Sequence, residues 1–341
     1  MLHSLLALLL LSAKPVSLPP SGASFFNWAL TAQQPPFLVQ TIAREAVPSL
    51  YPSLLQSDVD TTANPLFEYT VTPVDPNTAS SVPSRDPSML GVQLNAQESI
   101  AIDRTTGAVL WQHNAATQRP IASLTKLMTA VVALQNASLT DIITVSDHAS
   151  KMAIDGSRVD LVPDEQMKLG DMLYGALVGS GNDAATAIAE NVGGSEEGFV
   201  AMMNQEARTL DMRNTHFANP TGLDEDGNYS TALDLAKLVN AALSTYPISD
   251  IVASKTADIS SIDGAHRHQF ENTNELLNSY LHVTGVKTGF TDDAGECLIT
   301  LAHNDQGQEI ITVILGSPDR VRDSKALIDW VFRAYTWNTN N

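Results

Sequence analysis

The chain is poor in cysteine, in basic residues and in long apolar runs, and each shortage excludes a class of protein. One cysteine in 341 residues cannot pair within its own chain, so there is no disulfide scaffold. It also offers no thiolate cluster, and no His-Glu-x-x-His run exists; the sequence suggests no metal centre and no cofactor. No stretch approaches the ~18–20 uninterrupted apolar residues of a membrane span, which excludes a polytopic membrane protein. Lys and Arg number 19 against 38 Asp and Glu, a net charge of −19. Such a balance repels phosphate backbones, so nucleic acid is not an expected partner. Apolar residues make up 43%, enough for a sizeable core, and wholesale disorder is excluded.

The first ninety residues differ in kind from the rest. Residues 5–11 are leucine except for Ala7, the length of a signal-peptide core, although Met1–Ser4 carries no Lys or Arg. Residues 1–23 are therefore expected to be a signal peptide or N-terminal anchor, with cleavage near Ser21-Gly22-Ala23. Twelve of the 17 prolines precede residue 91. Proline removes backbone donors and fixes φ, so residues 24–90 read as an extended leader or linker. The folded domain is expected over 91–341.

Within it, residues 97–114 read as a hairpin turning at Asp103–Gly107. Leu124, Leu127, Met128, Val131 and Val132 recur at helical spacing and predict an apolar face. Helices are also expected at 168–178, 183–192, 196–210 and 231–243. Strands follow at 282–287, 296–303 and 309–316, the last two joined by a turn at Asn304–Gly307, then a helix over about 319–337. Cys297 falls in one of these strands as a core residue. This order predicts one α+β domain, an antiparallel sheet flanked by helices.

Three short motifs each occur once. Ser123-Leu124-Thr125-Lys126 opens the first helix, placing a hydroxyl nucleophile and an amine on one face. The amine serves as a base only if its pKa falls well below ~10.4, which burial and a second cation would achieve. Ser180-Gly181-Asn182 precedes a second helix, where a hydroxyl can relay a proton and an amide can hold a substrate amide. Lys287-Thr288-Gly289 ends an apolar strand; an ammonium and a hydroxyl there can hold a carboxylate, and the glycine admits a substrate backbone. Each has an ordinary reading as a helix cap or a charged strand edge. Together, in this order and on these elements, they describe a serine acyl-transfer site.

The runs Pro120–Ala130, Ser180–Ala185, Asn214–Leu223 and Gly285–Thr291 resemble those of the serine D-alanyl-D-alanine carboxypeptidases, the low-molecular-mass penicillin-binding proteins. The resemblance spans about 91–337. It implies the penicillin-recognising, β-lactamase-like fold with a five-stranded antiparallel sheet between helices. It implies Ser123 as nucleophile, Lys126 as general base, Ser180 as proton relay and Asn182 as holder of the substrate amide. Lys287 and Thr288 would bind the terminal carboxylate, Gly289 would line the strand, and the backbone N–H groups of Ser123 and Phe290 would form the oxyanion hole. The implied partners are peptidoglycan stem peptides ending in D-Ala-D-Ala, with β-lactams as covalent inhibitors.

The implied location is extracytoplasmic, with any membrane attachment through the N-terminus, because the chain ends soon after its last expected helix. Thr221 stands where members often carry His. Arg267 is the nearest arginine upstream of the Lys-Thr-Gly strand, where some members place one for the carboxylate. A D,D-endopeptidase would use the same residues. A β-lactamase is disfavoured, since Glu275-Leu276-Leu277-Asn278 falls one residue short of the Glu-x-x-Leu-Asn pattern. A non-catalytic peptidoglycan-binding module is disfavoured by the complete trio, and a Ser-His-Asp hydrolase by the lack of a Gly-x-Ser-x-Gly elbow. His266 and His268 could share one face of a strand, which otherwise reads as polar surface.

Overall fold

A computed structural model of the chain describes residues 82–152 and 157–337. The expected signal segment, and the expected leader as far as residue 81, lie outside the described residues. The first half contains β1 (Ser84–Arg85), β2 (Glu98–Asp103), β3 (Val109–His113) and a 3-10 turn at Ala122–Thr125 that runs into α1 (Lys126–Asn136). It continues with β4 (Ile142–Thr144), α2 (Asp147–Lys151), β5 (Gln166–Lys168), α3 (Leu169–Leu177), α4 (Asn182–Gly193) and α5 (Glu196–Thr209). Next come α6 (Ala232–Leu243), α7 (Ile248–Ala253), β6 (Thr256–Ser260) and β7 (Arg267–Glu271). The C-terminal part holds β8 (His282–Thr291), β9 (Gly295–His303), β10 (Glu309–Ser317), α8 (Arg320–Ala334) and β11 (Tyr335–Thr336).

The five-stranded sheet has the order β3-β2-β10-β9-β8, antiparallel throughout. Alternate residues serve two cores, because side chains in a strand point to opposite faces. Ile100, Ile102, Ile299, Ile311 and Val313 pack with α1 and the other central helices. Ala101, Leu298, Ala302, Ile310 and Ile314 pack under Leu327, Ile328 and Val331 of α8. Burial on both faces explains why β9 and β10 read as nearly unbroken apolar runs. Cys297 is fully buried in β9, as expected.

Helix α1 departs from the single apolar face expected of it. Residues 126–133 are all buried. Polar members are accommodated by specific partners: Thr129 Oγ1 donates to Pro220 O at 2.6 Å. Two small two-stranded sheets, β4 with β5 across the intervening α2 and the β6–β7 hairpin, add to the expected elements. Folded structure also begins before residue 91. Strand β1 pairs with β11, Trp330 Nε1 donates to Leu90 O at 2.6 Å, and the Arg85 guanidinium lies over the Trp330 ring.

Trp330 also meets Trp111 edge-on at 5.3 Å between ring centroids. It therefore joins residues 85–90, β3 and α8. Trp330→Ala is expected to lower stability by about 3–5 kcal/mol, measured by urea unfolding, as for other buried aromatic truncations. Trp330→Phe should lose less, about 1 kcal/mol for the indole hydrogen bond plus a packing change.

Candidate active site

The site is assembled at the start of α1. Ser123 lies in the 3-10 turn and Lys126 opens the helix, three residues on. Lys126 Nζ is 2.7 Å from Ser123 Oγ, 2.7 Å from Asn182 Oδ1 and 2.8 Å from Thr221 O. Its side chain is completely buried. Burial first, and then the Lys287 charge, hold its pKa well below the ordinary lysine value, while Asp183 opposes them. A neutral amine has two hydrogens and one lone pair. Asn182 Oδ1 and Thr221 O can only accept, so they take the hydrogens and the lone pair is left facing the Ser123 hydroxyl.

The second motif forms the opposite wall. Ser180 precedes α4 with φ +57°, and Asn182 is the first residue of that helix. Positive φ at a non-glycine residue is sparsely populated and stored at few places in a fold. Ala122, beside the nucleophile, is another, at φ +49°. Asp183 fixes the segment over this wall: its buried carboxylate accepts from the backbone N–H of Val159, Leu161 and Ala184. Ser157 O accepts from Asn182 N at 2.8 Å.

The third motif lies on the edge strand β8. Lys287 is buried, and its Nζ donates to Ser180 Oγ at 2.8 Å and Thr288 O at 3.0 Å. Burial, and then the Arg320 charge, bring its pKa down to about 7. Gly289 abuts the nucleophile: a Cβ there would lie 3.1 Å from Ala122 Cβ and 3.2 Å from Ser123 N. The Phe290 side chain is exposed at 61%. The fold thus gathers Ser123, Lys126, Ser180, Asn182, Lys287, Thr288, Gly289 and Phe290 into one place.

Three contributors were not singled out from the sequence. Thr221 acts through its backbone carbonyl, so its side-chain identity gave no signal. Asn219 Oδ1 sets that carbonyl by accepting from Thr221 N and Gly222 N. Arg320, at the start of α8, donates to Gly289 O at 3.0 Å, and its charge lowers the Lys287 pKa. Arg267 instead pairs with Asp258 across an exposed hairpin. The strand it occupies is not wholly polar surface either, because His268 turns inward to Glu165 at 2.7 Å. Glu275 is exposed on a 3-10 turn at Glu275–Asn278.

A cavity of about 520 Å³ borders the site, lined by Arg119, Pro120, Gly222, Leu223, Asp224 and Asp293 among others. Among the described residues, His148, Glu190 and Glu196 alone bring three metal-ligating side chains within 4.8 Å; His148 and Glu196 already pair at 2.7 Å. None of the motif residues belongs to that trio.

Gly222 has φ +85°, and a Cβ there would stand 1.9 Å from Ala122 O. Gly222→Ala is therefore expected to displace the Ala122–Ser123 peptide. Reaction of Ser123 with a serine-directed acylating agent should slow by about 10²-fold, as for other ~1 Å misplacements, followed by mass spectrometry.

Residues 81–319 match the sequence profile of the D-alanyl-D-alanine carboxypeptidases, peptidase family S11. The chain is 35% identical over 247 residues to D-alanyl-D-alanine carboxypeptidase DacF of Bacillus subtilis, covering 70% of this chain and 63% of that one. It is 36% identical over 233 residues to a D-alanyl-D-alanine endopeptidase of Pseudomonas aeruginosa, covering 65% and 73%. The crystal structure of the Streptomyces K15 DD-transpeptidase superposes with a TM-score of 0.68 at 30% identity, covering 72% of this chain and all of that one. The matched part thus spans a little under two thirds of the Bacillus relative. No helix among the described residues is long and apolar enough to cross a membrane. With the profile covering most of its length and the three motifs converging on Ser123, the chain belongs to the D-alanyl-D-alanine carboxypeptidase family.

Proposed function

We propose that this protein is a serine-type D-Ala-D-Ala carboxypeptidase that removes the terminal D-alanine from peptidoglycan stem peptides. The observation that carries this reading is the Lys126 amine, buried and held 2.7 Å from the Ser123 hydroxyl between two oxygens that can only accept. Ser123 Oγ attacks the carbonyl carbon of the penultimate D-alanine as its proton passes to Lys126 Nζ. The backbone N–H groups of Ser123 and Phe290 receive the oxyanion. Collapse breaks the C–N bond, and the leaving D-alanine takes a proton through Ser180, whose hydroxyl bonds Lys287. Asn182 uses Oδ1 on Lys126, which leaves its NH₂ to donate to the substrate's amide carbonyl. Lys287, Thr288 and Arg320 supply the field for the terminal carboxylate. Water then hydrolyses the Ser123 ester.

The Pseudomonas relative supports a second reading, an endopeptidase that cuts D-Ala-containing cross-links with the same residues. Both substrates lie outside the cytoplasmic membrane, so an extracytoplasmic location accompanies either reading. Residues 1–23 would then serve as signal peptide or anchor, and 24–81 as the tether of a catalytic domain that already includes Ser84–Leu90.

Fluorescent penicillin should label the wild type in a slowly released adduct and leave Ser123→Ala unlabelled. Rapid penicillin loss without adduct would favour a β-lactamase; no adduct with penicillin intact would favour a binding module. D-Alanine release from a stem pentapeptide, compared with cleavage of a cross-linked dimer, separates carboxypeptidase from endopeptidase. Lys126→Gln should lower kcat/KM by about 10²–10⁴-fold.

Lys126 must be neutral, so kcat/KM rises with pH through its lowered pKa. Lys287 must be charged to hold a carboxylate, so kcat/KM falls as pH rises through about 7. Lys287→Gln removes one of the influences lowering the Lys126 pKa and should move the acidic limb to higher pH.

A further inference from the structure

Two parts of the active site hang from segments that meet far from Ser123 in sequence. Residues 157–165 form a strap over the Ser180–Asn182 turn. Its near end is held by Asp183 and by the Ser157 O to Asn182 N hydrogen bond. Its far end closes on Glu165, whose Oε2 accepts from Val162 N at 3.0 Å and whose backbone carbonyl accepts from Val145 N at 2.9 Å. The other oxygen of Glu165 accepts from His268 Nε2 at 2.7 Å. The Glu165 side chain is fully buried and that of His268 is 7% exposed.

His268 sits on β7, and the chain leaving β7 reaches Thr273 two residues after the strand ends at Glu271. The Thr273 hydroxyl bonds the hydroxyl of Thr288 at 2.5 Å, and Thr273 N reaches Val178 O at 3.4 Å, just before Ser180. Phe270 of the same strand presses on the Ser180 turn: a Cβ on Gly179 would lie 2.9 Å from its ring. One end of the Glu165–His268 contact therefore belongs to the segment that fixes Asn182, and the other to the strand that supports Thr288.

We propose that Glu165 and His268 are a positioning pair for the acylation of Ser123, tying the Asn182 wall of the site to the Thr288 wall from behind. This rests on the acyl-enzyme reading given above. Neither residue reaches the reacting atoms. A buried carboxylate that loses its only side-chain partner from another element must find another or move, and the strap moves with it. Misplacement of Asn182 turns the Lys126 lone pair away from Ser123, which slows acylation without removing any catalytic group.

The test compares wild type, Glu165→Gln, Glu165→Ala, His268→Ala and the Glu165→Ala/His268→Ala double variant. Each is followed by the second-order rate of penicillin acylation, by thermal midpoint, and by hydrogen exchange of the amides of Val159, Leu161 and Asn182. Glu165→Ala is expected to slow acylation by about 10–10²-fold and to speed exchange at those three amides. Glu165→Gln has one accepting oxygen where Glu165 uses two, so it can accept from His268 Nε2 or from Val162 N but not from both, and should slow acylation less than Glu165→Ala does. Because the pair acts as a unit, the double variant should be no slower than Glu165→Ala. If Glu165→Ala does not fold, His268→Ala reads the same coupling from the hairpin side. A lowered midpoint with unchanged acylation and unchanged exchange at the three amides overturns the proposal. So do additive losses in the double variant. If the wild type itself takes up no penicillin, the acyl-enzyme reading falls, and the exchange rates alone decide whether the tie exists.

Discussion

Burial of the Lys126 amine is the constraint around which the structure is arranged. Placing an amine in a dry interior is costly unless it is neutral or well partnered. Here three oxygens surround it, drawn from the 3-10 turn, the start of α4 and the loop at 219–222. Each oxygen is fixed by something else: Asn182 by Ser157, Thr221 by Asn219, and Ser123 by the close approach of Gly222 and Gly289. Removing water from the amine therefore requires most of the helical half of the protein to be in place.

The two walls differ in how they are made rigid. The Ser180 wall stores an unfavourable backbone conformation at +57° and is held by a buried carboxylate that accepts three backbone amides. The Lys287 wall is an edge strand, carried by a sheet whose neighbours are buried on both faces. Lys287 joins the two through its bond to Ser180. Its charge also acts on Lys126, so the two lysines form one electrostatic system although no hydrogen bond is needed between them.

The sequence made the motif residues legible because their spacing and element types are local properties. Ser123 and Lys126 at i and i+3 announce a shared helix face, and Lys287-Thr288-Gly289 after an apolar run announces a strand end. The long strands and helices were legible for the same reason, their hydrophobic period. What escaped depends on distant backbone. Thr221 contributes a carbonyl, which every residue has. Arg320 belongs to a different element from the strand it bonds, 31 positions from Gly289. His268 alternates with charged neighbours and reads as surface until Glu165, 103 positions away, is brought beneath it. The strands of the β4–β5 pair and of the β6–β7 hairpin, three and five residues long, are too short for their period to register.

Cys297 gives the molecule an internal clock for its own opening. It is the chain's single thiol, fully buried in β9 directly opposite Gly289, and burial pushes its pKa up to about 11. Only the thiolate reacts with oxidants and alkylating reagents, so the native state keeps this sulfur inert. Its modification must wait for the central sheet to separate at the strand that carries the active-site glycine. The chemistry of one sulfur atom thereby records the lifetime of the folded state, in any environment oxidising enough to test it.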